Sequence, residues 1–350
     1  MLELSLTLLI MIYLDALSCK KTERPPIWFM RQAGRYMQQY QDIRKNHNFL
    51  EMIGTPQLAT EITLQPIDAF GFDAAILFSD ILTLVKPFGC SLEFKEGIGP
   101  VIDDPLQAEA IKALEIPNIK QECGFVFEAV KLIREKLLPY KIPLIGFSGA
   151  PFTVASYMIE GKSSPNLETV KYWIGHNPNE LHDLLEKLTV SVIDYLDEQV
   201  NAGVQALQLF DTWAGLLSYE DFKLFIAPYL KKIVSHVRTK HNVPITVFCK
   251  HTMAFLDLLI DINPNGISVD WQTNLRDIKS KVPSTMALQG NLDPLLLFAK
   301  PEKLRERVIE KLDIMKDRPG YIFNLGHGIL PTTPVENVKL VVDTVKSYRG

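Results

Sequence analysis

The sequence predicts an α/β protein built as a single (β/α)8 TIM barrel with a long loop excursion after the second strand. Two observations carry that expectation. Eight short apolar runs are spread along the 350 residues, continuous rather than alternating, as strands covered on both faces require. Helical patterns with start signals lie between them, and strand-helix alternation repeated eight times points to a barrel. An open doubly wound sheet is the competitor. It lacks support, because no Gly-x-Gly-x-x-Gly follows the first run.

In chain order the runs are Ile27–Met30, Ala74–Phe78, Pro143–Phe147, Ala206–Phe210, Pro244–Phe248, Gly266–Val269, Met286–Gln289 and Tyr321–Leu325. Thr55-Pro56 opens a helix with a cap residue and a first-turn proline. Asn177-Pro178 opens a long one, with Leu181, Leu184, Leu185, Leu188, Val192, Tyr195 and Leu196 on one stripe and an end near Gly203. Asp293-Pro294 opens another, and Thr333-Pro334-Val335-Glu336 reads as a capping box. Residues 82–110 carry Pro87, Gly89, Gly97, Gly99, Pro100 and Pro105, too irregular for one helix. They form the expected excursion over the barrel mouth.

Composition narrows the class. A hydrophobic share of 47% and a charged share of 22% are those of an ordinary globular chain. A formal charge of −4 shows none of the basic excess of a nucleic-acid binder. An anionic ligand must therefore be drawn by a local cluster. Four cysteines without a Cys-x-x-Cys pair read as reduced thiols of a cytoplasmic protein. Residues 1–13 are strongly apolar but too short for a membrane span and lack a basic start. They read as a start-site extension or a helix against the barrel, ahead of one domain covering 14–350.

Barrel chemistry sits at the C-terminal ends of the strands. The first run is followed by Arg31 and Arg35, the second by Ser79-Asp80, and the third by Gly146–Thr153 and then Tyr157. The fourth gives Asp211-Thr212-Trp213, the fifth Lys250-His251, the sixth Asp270-Trp271, the seventh Gly290-Asn291 and the eighth Gly326-His327-Gly328. If the chain turns helical after Met30, the two arginines share a face about 5–6 Å apart at Cβ, which invites an anion between them. Structural salt bridges are the plain alternative. Asp80 reads as an N-cap or as an acceptor for ligand N–H groups. Tyr157 reads as core or contact, and Thr212 as cap or contact. His327 sits between glycines that permit close backbone approach or positive φ, and Asp211 reads equally as the holder of Arg31 or of another cation.

No Ser-His-Asp elbow and no His-Glu-x-x-His occurs. Cys249 and His251 hint at zinc, yet no second cysteine falls at a strand end, so no metal is expected.

Several segments strongly resemble the uroporphyrinogen decarboxylase family. They are Pro-x-Trp-x-Met-Arg-Gln-Ala-Gly-Arg at Pro26–Arg35, Phe78-Ser79-Asp80, Gly-Phe-x-x-x-Pro-Phe-Thr-x-x-x-Tyr at Gly146–Tyr157, and Phe210–Gly215. Gln289–Pro294 and Phe323–Ile329 complete the set. The resemblance implies a cofactor-free carboxy-lyase, a homodimer with facing clefts, and no nucleic-acid or membrane partner. It also implies a substrate set of Arg31, Gln32, Ala33, Gly34, Arg35, Asp80, Tyr157, Thr212 and His327, with Asp80 and Arg31 catalytic. Lys250-His251-Thr252 departs from the glycine-rich stretch expected after the fifth strand. The rivals are a zinc-dependent corrinoid methyltransferase of related fold and a non-catalytic tetrapyrrole carrier.

Such a pocket suits the chemistry. Uroporphyrinogen is polyanionic, so arginines supply bidentate anchors. Its four pyrrole N–H groups need an acceptor, which Asp80 provides, and the protonated pyrrole is the electron sink for loss of carbon dioxide.

Overall fold

A computed structural model of the chain describes residues 11–95 and 97–350. Most of the expected N-terminal extension, residues 1–10, lies outside the described residues. The chain continues in the helix Ile12–Leu17, which buries Tyr13, Ala16 and Leu17.

Seven parallel strands form one sheet: β1 (Ala75–Ile76), β4 (Leu144–Gly149), β5 (Ala206–Asp211), β6 (Ile245–Cys249), β7 (Gly266–Val269), β8 (Ala287–Gln289) and β9 (Tyr321–Ile322), in that spatial order. Between β1 and β4 the short strands β2 (Glu93–Lys95) and β3 (Gly99–Val101) pair antiparallel as a separate hairpin. Every residue of the seven sheet strands is buried, which is why their sequences are continuous apolar runs. Inside the sheet lies a polar layer centred on Gln289, with the Gln208 amide nitrogen left without a partner. Gln289 donates to Gln208 at 3.1 Å and to Ser268 at 3.0 Å, and accepts from the Trp28 indole at 2.8 Å.

The first expected strand, Ile27–Met30, is corrected to a single bridge at Ile27, parallel to Phe323. The reason is competition for its backbone donors. Pro26 has no N–H, and side chains take the donors a ladder would use. Ile27 N–H goes to the Asp73 carboxylate at 2.8 Å, and Met30 N–H to the Asn324 side chain at 3.0 Å. The segment nonetheless lies between the two ends of the sheet. Pro26 O accepts from Phe323 N–H at 2.8 Å, and Ile27 O accepts from Asp73 N–H at 2.9 Å. Arg24 holds Asp73 bidentately at 2.7 and 2.8 Å, pinning this junction.

Other boundaries shift for similar reasons. The eighth expected run is regular only over Tyr321–Ile322, because the Asn324 carbonyl group of the side chain takes the N–H of Leu325. The helices opened by Pro56 and Pro178 run to Phe70 and Ala202, and Gly203 ends the second at φ +117°. Asp293 caps a short 3-10 turn, Pro294–Phe298; the following α-helix begins at Pro301. The expected capping box at Thr333 does not form: Pro334 is the N-cap of Val335–Ser347, and the buried Thr333 hydroxyl has no partner. Among the described residues, no helix is long and apolar enough to cross a membrane.

Candidate active site

The C-terminal ends of the sheet strands open into a cavity of about 970 Å3. Arg31, Gln32, Ala33, Gly34, Arg35, Asp80, Tyr157, Thr212 and His327 all line it, so stretches almost 300 residues apart in sequence converge on one cleft. Phe78, Phe147 and Phe210 add apolar wall, and the β2–β3 hairpin contributes Phe94, Lys95 and Ile98. Among the described lining residues Asp80 is the only carboxylate.

Arg31 is not on a helix, which corrects the geometry expected of the arginine pair. Residues 31–36 are turns, and Arg31 itself has φ +62°. Both guanidinium side chains remain exposed toward the cleft. The helical spacing failed because Gln32 is needed inside. It is fully buried, donates to Ala74 O at 3.4 Å, and its own carbonyl accepts from the Tyr36 hydroxyl at 2.5 Å.

Asp80 follows β1 by four residues. Its Oδ1 accepts from Leu82 N–H at 2.7 Å, fixing the carboxylate at the start of a run of turns. Burial pushes its pKa from 3.8 up to about 6, against the Leu82 hydrogen bond and the Arg31 charge, which pull it down. The carboxylate is therefore costly to hold in the cleft, and any cation or N–H donor placed against it relieves that cost.

His327 is half-buried between the rings of Phe248, at 5.9 Å, and Trp271, at 6.0 Å. Its Nδ1 accepts from Gly328 N–H at 2.7 Å, which leaves the proton on Nε2. Burial, then Arg31, then Lys250 hold its pKa down at about 3, so it is a neutral donor at working pH. The flanking glycines serve close approach rather than positive φ. A Cβ on Gly328 would lie 2.5 Å from Arg31 Cδ, and one on Gly326 2.2 Å from Trp271 N.

Tyr157 is buried, with its ring 5.9 Å from that of Trp213 and its hydroxyl 3.4 Å from Ser163 Oγ. Thr212 directly follows β5. Asp211 does not hold Arg31. It is fully buried and bonded to Thr153 Oγ1 at 2.7 Å, its second oxygen has no partner, and burial pushes its pKa up to about 7. Cys249 is likewise buried, its thiol donating to Lys250 O at 3.0 Å, whereas His251 is exposed. Lys250 points across the Trp213 ring, 5.5 Å from its centroid. Sequence reasoning missed Tyr36, Tyr40 and Arg44, which also line the cleft; they carry no strand-end signal, because the turn after Met30 brings them in.

A curled parallel sheet with helices between its strands and a polar cleft at their C-terminal ends defines a TIM-barrel-like α/β enzyme. Residues 11–348 match the family model described as uroporphyrinogen decarboxylase (URO-D). A uroporphyrinogen decarboxylase of Ruthia magnifica is 45% identical over 344 residues, covering 96% of this chain and 98% of that protein. One from Protochlamydia amoebophila is 43% identical, covering 96% and 92%. Among solved structures, a methyltransferase from Methanosarcina mazei superposes with a TM-score of 0.82 at 23% identity, covering 96% of this chain and 98% of its own, a likeness of fold. The chain belongs to the uroporphyrinogen decarboxylase family.

Proposed function

We propose that this chain is a uroporphyrinogen decarboxylase that converts the four acetate arms of uroporphyrinogen III to methyl groups, giving coproporphyrinogen III in haem biosynthesis. The observation that carries the reading is Asp80, the only carboxylate among the described residues of a cleft edged by arginines. Arg31 and Arg35 anchor carboxylate arms through their planar forks. Tyr157, Thr212 and the Nε2–H of His327 hold further arms, and residues 32–34 shape the wall between the two guanidiniums. Asp80 accepts from the pyrrole N–H groups.

A proton adds to the ring carbon bearing an acetate arm and leaves the ring cationic. The bond to the carboxylate then breaks, carbon dioxide departs, and its electron pair neutralises the ring as an exocyclic methylene. Protonation of that methylene gives the methyl group, and loss of the first ring proton restores the pyrrole. Asp80 stabilises the cation in an apolar surround. Arg31, beside His327, steers the reacting arm or relays the proton. The reading includes one (β/α)8 domain over residues 14–350, with Ile27 closing the barrel and residues 82–110 running over its mouth. It also includes a cytoplasmic homodimer with facing clefts, whose decarboxylation draws on no cofactor or metal in the cleft.

The methyltransferase reading needs a thiolate-rich metal shell at the mouth. Cys249 is buried and its thiol's pKa pushed well up, and among the described residues it belongs to no group of three ligands. Anaerobic incubation with uroporphyrinogen, followed by product separation, tests the proposal. Stepwise products with one to four fewer carboxyls are expected; unchanged substrate would refute it and favour the carrier reading.

A further inference from the structure

Away from the cleft, two imidazoles converge on one carboxylate. Asp197 lies near the end of the helix Pro178–Ala202, His236 near the end of Ala227–Lys240, and His241 directly after it. These segments lead into the N-terminal ends of β5 and β6, the face opposite the cleft. His241 Nε2 is 2.6 Å from Asp197 Oδ1, and His236 Nε2 is 3.1 Å from the same oxygen and 3.0 Å from Oδ2. All three ligand atoms fall within 4.8 Å of one another, and no other group of three His, Cys, Asp or Glu does so among the described residues.

We infer that Asp197, His236 and His241 form a binding site for a divalent transition metal of the zinc class. Two imidazoles and a carboxylate are a zinc donor set, with a fourth position left for water. A tetrahedral shell with bonds of about 2.0–2.1 Å spaces neighbouring donors roughly 3.3 Å apart, so each imidazole–carboxylate contact would open by less than an ångström. His241 faces Oδ1 and His236 straddles both oxygens, while Lys240 Nζ grips Oδ2 at 2.6 Å and fixes the carboxylate from outside. Asp194 and Glu198 stand beside the trio and offset the lysine charge; Glu198 also meets Lys120 at 3.3 Å.

A hollow of about 380 Å3 lined by Asp194, Asp197, Glu198 and Lys240, with neither imidazole in its wall, reaches the carboxylate from solvent. The bound ion would tie the two helices together on the face of the barrel that serves stability rather than chemistry. The competing reading is a hydrogen-bonded clamp in which both imidazoles donate to Asp197 and no ion takes part.

The test is zinc titration of chelator-treated protein, followed by thermal unfolding. At a hundredfold excess over the dissociation constant, Tm should rise by about 4 °C for a chain of this length. His236→Gln should bind zinc at least tenfold more weakly. Cobalt(II) should give wild-type protein the visible absorption of a four-coordinate site, and His241→Gln should lose it. If wild-type Tm ignores zinc, or if His236→Gln responds as wild type does, the site is refuted and the clamp stands. Should a variant fail to fold, an absent four-coordinate cobalt spectrum in wild type still refutes the site, and its presence supports it.

Discussion

Asp80→Asn is the perturbation that separates the two consequences of the cleft's charge. Raising a carboxyl from 3.8 to about 6 makes its ionised form costly in the folded protein. At about 1.4 kcal/mol per pH unit this approaches about 3 kcal/mol at neutral pH, reduced to about 1–3 kcal/mol because Asp80 faces water in the cavity. Asparagine removes the charge and can still accept from Leu82 N–H, so the variant should melt about 2–4 °C higher at pH 7.5. The sign follows from the raised pKa. Below 3.8 the carboxyl is protonated whether folded or unfolded, and the penalty vanishes. It grows as pH rises toward about 6 and is full above that, so the gain at pH 5 should be roughly half that at pH 7.5.

Turnover should move the other way. A unit charge about 4 Å from the ring cation, in an effective dielectric of about 20, contributes about 4 kcal/mol, close to a thousandfold in rate. Anaerobic assay and thermal melts on the same preparations read both effects. Wild-type kcat/KM should fall below pH of about 6, where Asp80 protonates, while His327, held at about 3, adds no break near neutrality. Full turnover in Asp80→Asn, or a variant less stable than wild type at pH 7.5, would refute the reasoning.

Four further outcomes are expected. Gly328→Ala should fold but push Arg31 aside, costing at least tenfold in kcat/KM. Gly326→Ala, whose new methyl meets the immovable Trp271 backbone, should instead lower Tm by several degrees; equal effects in both would contradict the packing. Arg35→Lys should raise KM about tenfold with little change in kcat, since the fork is lost and the charge kept; an unchanged KM would count against anchoring. Arg24→Met should destabilise by about 3–5 kcal/mol in urea unfolding, because Asp73 would be left buried and unpaired where Ile27 joins the sheet.

How much was legible varies by element. The runs Gly266–Val269 and Ala206–Phe210 match their strands almost to the residue, because continuous burial leaves a continuous apolar record. Ile27–Met30 did not become a strand, since its donors go to Asp73 and Asn324, partners 46 and 294 residues away. The helical turn expected at Arg31 gave way because Gln32 turns inward to Ala74, 42 residues on, whereas at Thr333 the cap is Pro334 and the threonine hydroxyl is left without a partner.

What the sequence determined by itself was the class of fold and the set of polar residues at strand ends. Both are local records: strand burial is written in each run, and each strand is followed at once by its own loop. The tertiary structure alone decided that these residues share one cavity, that Arg31 lies against Gly328, and that Asp211 faces Thr153. It alone set the proton affinities of Asp80 and His327, and it alone brought His236 and His241 to Asp197. Each of these depends on which distant group sits within a few ångströms, and desolvation and Coulomb energies exist only once that distance is set.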